Sequence, residues 1–427
     1  MEHRCAVVFL LILVSSILRP QSSEEISPQS LLRRGNAWYA KSEFDQAIAE
    51  YDRAIALDPR LADSYNNRGN ARRAKGDLEG AHGDYSTALR VDPRQAAVYC
   101  NRGSLQLIRG DSEGAIADYT KALAIDRRWA EAYQGRASAR HLRGDIQGAL
   151  SDLDQAIARF DRHATGLYEL HVHNPRLAVV YNQRGAILLE RGEIIRALAD
   201  FDRALKIAPR FAEPYGNRSI ARQAAGDLDS ALADADRALA LDPFFVDAYV
   251  SRGVVRTAKG DLNGATADLD RAIELAPGLA TAFNSRGNVR KAKGNLEGAR
   301  TDYDQALALD PRYAEAFSNR CLLRQEQGNL EGALADCNRA IEISPRLAEA
   351  YNSRGMARRA GGDLDGAIAD YDRALALNPR LAVAYANRGL AHLRKGDDDA
   401  QLDFARFLEL RPELKLSLER SIAKVKR

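Results

Sequence analysis

The sequence predicts an all-α protein built from repeated helix pairs, and three observations support this prediction. Small residues recur every 34 positions from Gly35 to Gly389, with one gap of 48. Within each period, apolar residues recur at the spacing of amphipathic helices. Ten of the 13 prolines share a single phase of the period. A length of 427 residues alone would suggest about three domains, but a fixed period indicates one array of stacked units.

The first 27 residues precede the repeats. The run from Cys5 to Leu18 is apolar except for Ser15 and Ser16. This run is shorter than the roughly 20 residues that a membrane-spanning helix needs, and it is typical of a signal peptide, here with cleavage after Ser16. We therefore expect an exported protein, periplasmic or extracellular. The alternatives are a membrane anchor formed by residues 5–18, or a misassigned start and a cytoplasmic protein.

Repeat two illustrates the two helices predicted in each period. Helical periodicity predicts a first helix over 65–75. Gly76 suits the left-handed C-cap of that helix, and Asp77 suits the N-cap of the next one. We expect the second helix from Leu78 to about Val91, because the Asp-Pro that follows cannot continue it. The phased prolines should thus mark the ends of second helices.

The residues between the two helices of a repeat are small or aromatic. Small residues at 69, 81 and 88 allow two antiparallel helices to approach closely, and aromatic rings fill the remaining space. The pattern of repeat two resembles the tetratricopeptide repeat (TPR) family in these residues: Tyr65, Gly69, Ala81, Tyr85, Ala88 and Pro93. This resemblance implies a right-handed superhelical solenoid of antiparallel helix pairs, a scaffold that binds proteins or peptides. The fold does not specify the partner.

The resemblance extends over residues 28–414 as eleven repeats. Repeats one to four occupy 28–161, an insertion occupies 162–175, and repeats five to eleven occupy 176–414. The basic segment 415–427 is predicted to complete a helix that caps the stack. Arg outnumbers Lys 51 to 11 beside abundant Ala and Gly, which favours a bacterial source.

One side of each first helix is rich in amides. This side faces the concave groove if the packing resembles that of the family. Because Asn carries both a donor and an acceptor, it can pair with the backbone of an extended peptide of any sequence. The alternative is that these residues are ordinary solvated helix surface. The candidates for peptide contact are Asn66, Asn67, Asn70, Asn101, Asn182, Asn217, Asn284, Asn319, Asn352 and Asn387.

Charge argues against two kinds of partner. The formal net charge of +3, from 62 basic and 59 acidic residues, is too small for a polyanion-binding surface, which speaks against nucleic acid. TPR proteins that clamp the C-terminal carboxylate of chaperones present Lys and Arg on the groove. The corresponding positions here are acidic or apolar, which speaks against that role: Asp63, Ala97, Glu131, Glu213 and Asp247.

An arginine precedes the small residue of every repeat, and an acid follows that arginine by 15 or 16 positions. The arginines are Arg34, Arg68, Arg102, Arg136, Arg184, Arg218, Arg252, Arg286, Arg320, Arg354 and Arg388. The acids are Glu50, Asp84, Asp118, Asp152, Asp200, Asp234, Asp268, Asp302, Asp336, Asp370 and Asp403. We expect a ladder of partly buried ion pairs between the helices.

The insertion is the best candidate in the sequence for a metal site or for a contact with a partner. It contains His163, Glu169, His171 and His173, which could ligate a metal if the loop folded back. A partner-contacting loop and a neutral insertion are the other two interpretations. Elsewhere we find no nucleophile elbow, phosphate loop or HExxH motif. We therefore predict no enzyme, no catalytic residue, no metal and no cofactor.

Cys321 and Cys337 replace a small residue and an aromatic residue at the helix contact of repeat nine. We expect two buried free thiols, and a disulfide is the alternative in an exported protein. The function expected from the whole sequence is a non-catalytic scaffold that binds extended peptides or proteins. The alternative is a structural or regulatory subunit docked permanently in a larger, envelope-associated complex.

Overall fold

The computed structural model describes residues 27–162 and 175–425. All regular secondary structure in these residues is helical. Residues up to Pro209 form one compact unit and residues from Arg210 onward form a second. The first unit contains five helix pairs. The second contains six pairs and a final helix, so each unit is a solenoid of paired helices.

The helices of the first unit follow the predicted period. They are α1 (Pro28–Ala40), α2 (Phe44–Leu57), α3 (Ala62–Ala74), α4 (Leu78–Val91), α5 (Ala96–Ile108), α6 (Ser112–Ile125), α7 (Ala130–Leu142), α8 (Ile146–Arg162), α9 (Pro175–Glu190) and α10 (Ile194–Ile207). The odd-numbered helices are the first helices of their pairs.

The second unit repeats the arrangement six times. Its helices are α11 (Ala212–Ala225), α12 (Leu228–Leu241), α13 (Val246–Ala258), α14 (Leu262–Leu275), α15 (Ala280–Ala292), α16 (Leu296–Leu309), α17 (Ala314–Glu326), α18 (Leu330–Ile343), α19 (Ala348–Ala360), α20 (Leu364–Leu377), α21 (Ala382–Lys395), α22 (Ala400–Leu410) and α23 (Lys415–Val425).

The turn within most of the described pairs has the predicted chemistry, and the pairs that begin at Pro28, Pro175 and Ala382 lack the side-chain cap. Gly76 adopts φ +87°, the left-handed conformation that glycine accepts without strain. The Asp77 side chain then accepts a hydrogen bond from the Gly80 amide at 2.9 Å, which caps α4. The same cap recurs in the second unit, for example at Asp261 and Gly264.

The turn between pairs differs from the prediction at one proline. Pro175 does not follow a second helix but is the first residue of α9. Proline is favoured there, because the first amide of a helix needs no partner within the helix. The second helix of repeat four, α8, extends to Arg162. The insertion residues 163–174, with His163, Glu169, His171 and His173, lie outside the described residues, as do residues 1–26.

Small residues and rings pack as the pattern predicts. A methyl group placed on Gly69 would lie 2.7 Å from the ring of Tyr85, too close for any real contact. Gly287 has the same relation to Tyr303, at 2.6 Å. Because both tyrosines are fully buried, each of these two repeats uses its own ring to fill the space between its two helices.

The structure confirms the ladder of ion pairs between the two helices of a repeat. Arg102 illustrates it: its Nε and Nη2 atoms donate to the two carboxylate oxygens of Asp118 at 2.7 and 2.8 Å. Such a bidentate pair is stronger and more specific in geometry than a single contact. Because Asp118 is buried, its carboxylate has no access to water and needs partners within the protein, which Arg102 provides.

The same arginines also join neighbouring repeats. Arg286 Nη1 donates to Asp270 of the preceding repeat at 2.8 Å, and Arg320 makes the same bond to Asp304 at 2.7 Å. Their guanidinium carbons lie 5.4 Å from the ring centroids of Phe283 and Phe317, at cation–π distance. These arginines are therefore held by contacts within the stack.

Cys321 and Cys337 are joined by a disulfide, so the expected pair of free thiols is corrected. Their Cα atoms lie 5.6 Å apart, within the range that a disulfide spans. The physical reason is their place in the repeat: they occupy the positions of the tightly packed glycine and aromatic ring. Both side chains are completely buried.

The final helix α23 covers the end of the last repeat. Leu414, Leu418 and Ile422 pack in one cluster with Phe407 and Leu390. Their apolar face is thus covered, which is the arrangement expected of a capping helix.

Candidate functional site

The surface formed by the first helices is the candidate site, and we call it the first-helix face. In the first unit, α1, α3, α5 and α7 contact one another in succession. In the second unit, α11, α13, α15, α17, α19 and α21 do the same. Helices α7 and α9 are linked by a hydrogen bond from Gln134 to Gln183 at 3.0 Å and by His141 Nε2 against Glu190 at 2.8 Å.

The predicted amides lie on these faces and bond to one another across neighbouring repeats. Asn101 donates to Asn66 at 2.9 Å in the first unit. In the second unit, Asn319 donates to Asn284 at 2.9 Å and Asn387 donates to Asn352 at 3.0 Å. The sequence analysis missed this amide ladder, although the 35-residue spacing of each bonded pair was a visible signal.

Burial divides the ten candidates into two groups. Asn284 and Asn352 are 6% and 8% exposed, and Asn284 also donates to the Tyr313 hydroxyl at 3.3 Å. These two amides mainly join helices. The half-buried candidates retain surface toward solvent: Asn66, Asn67, Asn70, Asn101, Asn182, Asn217, Asn319 and Asn387. A primary amide can form about four hydrogen bonds, so one bond in the ladder leaves further capacity.

Tyrosine hydroxyls reach the first-helix face in several repeats. Each bonds to the residue that follows the small residue of its own repeat. Tyr85 donates to Asn70 at 2.8 Å, and Tyr119 lies 2.9 Å from Ser104 Oγ. Burial raises the pKa of Tyr85 to about 12, so its hydroxyl stays protonated. The analysis of the sequence placed these rings but did not identify their hydroxyl partners.

A cavity of about 270 Å³ opens on the first-helix face between repeats four and five. It is lined by residues of α7, α8 and α9: Ala137, Ser138, His141, Leu142, Leu153, Gln183, Ala186 and Ile187. Ala137 and Leu153 stand where repeats two and three have glycine and tyrosine. The cavity is smaller than the range of roughly 300–1,000 Å³ typical of small-molecule sites.

A second cavity, of about 450 Å³, lies in the second unit beside the capping helix. Its apolar lining comes from Leu322, Met356 and Leu390, which occupy one position in three successive repeats. Helix α23 adds Leu418 to the wall. Thus the first-helix face of the second unit ends in an apolar stripe.

The ends of the first helices that line the face are acidic. Glu213, Asp247, Glu315 and Glu349 are exposed near the beginnings of α11, α13, α17 and α19. An acidic surface repels a C-terminal carboxylate. In the described residues, no group of His, Cys, Asp and Glu side chains could hold a metal ion. None of the described helices is both long and apolar enough to span a bilayer.

Helix pairs stacked through their first helices define an α-solenoid of the helical-repeat class. Models of the family described as TPR repeat or tetratricopeptide repeat match residues 35–72, 69–107, 96–128, 217–280, 287–328 and 355–396. The chain belongs to the tetratricopeptide repeat family. Such repeats support a protein-interaction scaffold. A comparison with curated protein sequences found no match.

Several solved structures are similar to this chain at low sequence identity. The chain is 13% identical to a chain of the APC/C hetero-tetramer Cut9–Hcn1, with a TM-score of 0.52 and coverage of 98% and 99% of the two chains. It is 17% identical to yeast Tom70, with a TM-score of 0.49 and coverage of 93% and 95%. A tetratricopeptide repeat protein of Parabacteroides merdae is 21% identical, with a TM-score of 0.48 and coverage of 58% and 93%.

Proposed function

We propose that the chain is a non-catalytic scaffold that binds extended peptides or peptide segments of proteins on its first-helix faces. The observation that carries this proposal is the amide ladder, which joins neighbouring repeats once in the first unit and twice in the second and leaves a half-buried amide at each bond. A peptide backbone in extended form offers donors and acceptors along its whole length. Members of this family generally bind protein partners, which supports the same function.

The proposal is tested with peptides selected from a random display library against the full chain. The variant Asn101→Ala with Asn319→Ala removes one half-buried ladder amide from each unit. We expect its affinity for the selected peptides to fall about thirtyfold, since the two lost hydrogen bonds contribute about 1 kcal/mol each. The control is Glu331→Ala, an exposed side chain on second helix α18. Equal affinity of wild type and double variant would refute groove binding.

A second candidate function is permanent docking in a larger complex. Exposed apolar side chains away from the amide ladder favour it. Ile195 is 85% exposed in the first unit, and Phe244 is 68% exposed in the second. Co-elution with stoichiometric partners on a size-exclusion column would support this function, and elution of the chain alone would support a free scaffold.

We also propose that the protein is exported by means of its N-terminal segment. The apolar run of residues 5–18 supports this, and so does the buried disulfide, because disulfides persist in oxidising compartments. Mass spectrometry of the N-terminus after expression of the full sequence is the test. A chain that still begins at Met1 and fractionates with cytoplasmic proteins would contradict export.

A further inference from the structure

The cavity between repeats four and five corresponds to the place where repeat three holds its own tyrosine. In repeat three, the ring of Tyr119 packs against Gly103 of its own first helix and Gly135 of the next first helix. The distances from that ring to methyl positions on these glycines are 3.2 and 2.3 Å. The ring thus lies between two successive first helices.

One repeat further along, the equivalent positions all line the cavity. Ala137 corresponds to Gly103, Ser138 to Ser104 and Gln183 to Gly135. The ring itself is replaced by Leu153, which is 1% exposed. Leucine is shorter than tyrosine, so it leaves the outer part of the ring position open.

The polar partner of the missing ring is still present. In repeat three, Ser104 Oγ lies 2.9 Å from the Tyr119 hydroxyl. In repeat four, Ser138 Oγ instead makes a longer bond of 3.3 Å to the carbonyl oxygen of Gln134, in its own helix. Ser138 is half-buried in the wall of the cavity, so its oxygen can accept a hydrogen bond from an entering hydroxyl group.

From this correspondence we propose that the cavity binds the side chain of a tyrosine in the bound peptide, with the phenol hydroxyl on Ser138. The inference rests on the proposed peptide binding and specifies one residue of the ligand. A volume of about 270 Å³ suits a single side chain. The walls are mostly apolar, and the one serine supplies the hydrogen bond that distinguishes tyrosine from phenylalanine.

The probes are p-cresol, which is the tyrosine side chain alone, and toluene, which lacks the hydroxyl group. Binding to the full chain is measured by saturation-transfer NMR and titration calorimetry. We expect one p-cresol site, with affinity about fivefold above that of toluene because of the single hydrogen bond. The variant Ser138→Ala should remove this preference and leave toluene binding unchanged. Equal affinity of the two probes for the wild type would overturn the tyrosine assignment.

A filled variant provides the second test. Ala137→Gly with Leu153→Tyr recreates the glycine and tyrosine of repeat three and fills the cavity with the protein's own ring. It should fold, because repeats two and three already carry this pair, and p-cresol binding should be lost. Persistent p-cresol binding would refute the cavity as the site.

The converse variant, Gly103→Ala with Tyr119→Leu, should create a second p-cresol site in repeat three. It is a matched gain-of-binding control, because it introduces into repeat three the same pair of residues that repeat four carries. Circular dichroism checks that the variant is folded. If this variant still bound one p-cresol molecule per chain, the proposed correspondence between repeats three and four would be contradicted.

The filled variant also separates this inference from the general proposal. Peptides selected on the wild type should bind it at least tenfold more weakly if their tyrosine enters the cavity. Unchanged peptide affinity would overturn the inference while leaving peptide binding on the amide ladder intact. The p-cresol measurements need no peptide, so failure of peptide binding would not affect them.

Discussion

Asp302, on α16, accepts two hydrogen bonds from Arg286 of α15 and forms an ion pair with Arg290 of the same helix. Arg286 donates from Nε and Nη2 at 3.1 and 2.7 Å, and Arg290 Nη1 lies 2.9 Å away. Asp302 is 1% exposed. These hydrogen bonds to Asp302 raise the pKa of Arg286 above its ordinary value, so the guanidinium stays charged at every accessible pH. Replacing Asp302 by Ala therefore removes the buried carboxylate that faces the positive charges of Arg286 and Arg290.

The magnitude follows from the burial of the partners. Removing one member of a buried pair typically costs 3–5 kcal/mol, because the remaining charge stays desolvated. Arg286 keeps its bond to Asp270, and Arg290 is 29% exposed, so water can reach it. Both facts place the expected loss for Asp302→Ala near the lower end, about 3 kcal/mol.

Asp270→Ala is the matched control because it removes another carboxylate from the same arginine. Asp270 bonds to Arg286 at 2.8 Å but is 47% exposed. Exposed ion pairs contribute about 0–1 kcal/mol, so this variant should lose less than 1 kcal/mol. The two carboxylates share Arg286 as a partner and differ in burial, and Asp302 also has the partly exposed Arg290 as a second partner.

The assay is urea unfolding followed by circular dichroism at pH 7. Because stacked repeats can unfold in stages, the curves are fitted with separate repeat and interface energies rather than as one transition. We expect the Asp302 variant to unfold at clearly lower urea than the Asp270 variant. If the two midpoints shifted equally, the argument that burial gives the ladder its stabilising effect would be wrong.

Three further predictions concern other parts of the repeat. Because burial raises the pKa of Tyr85 to about 12, its contribution to stability is complete below pH 10 and is lost as the pH rises toward 12; the urea midpoint should fall over that range, and less in Tyr85→Phe. Cys321 and Cys337 close a short loop, so reductant should lower the free energy of unfolding by about 3 kcal/mol and expose two additional thiols after denaturation; equal thiol counts with and without reductant would contradict the disulfide. Gly110→Ala should destabilise the fold by about 1–2 kcal/mol, because φ there is +79°. Gly83→Ala, within α4 and with open space around it, should stabilise the fold by about 0.5–1 kcal/mol. In thermal melts the melting temperature should therefore fall in the first variant and rise in the second.

Helix positions could be predicted because each boundary depends on local chemistry. The expected second helix of repeat two, from Leu78 to about Val91, matches α4. The first helix begins at Ala62, earlier than expected, because the start has no strong cap for a sequence pattern to detect. The role of Pro175 was wrong because proline both ends helices and begins them, and the insertion separates Pro175 along the chain from α8, the second helix of repeat four.

Contacts between repeats could be predicted only in part. The Arg and Asp series was found because charges of opposite sign recur at a constant separation. The bond between Asn101 and Asn66 depends on how far each helix pair is rotated relative to the next one, which the period does not reveal. The cavity beside Leu153 exists because leucine is smaller than the tyrosine of other repeats. A sequence shows this smaller residue, but it does not show whether neighbouring side chains move in to fill the space.

A ligand binds most easily in a repeat that lacks the usual tyrosine, because no internal ring has to be displaced. In repeats two and three, a tyrosine fills the space between helices and its hydroxyl already has a partner in Asn70 or Ser104. A ligand at those places would have to displace an internal ring and break its hydrogen bond. In repeat four, Leu153 fills less of the space and Ser138 has only a long bond within its own helix. The same substitution that makes this repeat less tightly packed therefore gives it a side-chain pocket, so restoring the regular pair should increase stability and decrease binding together.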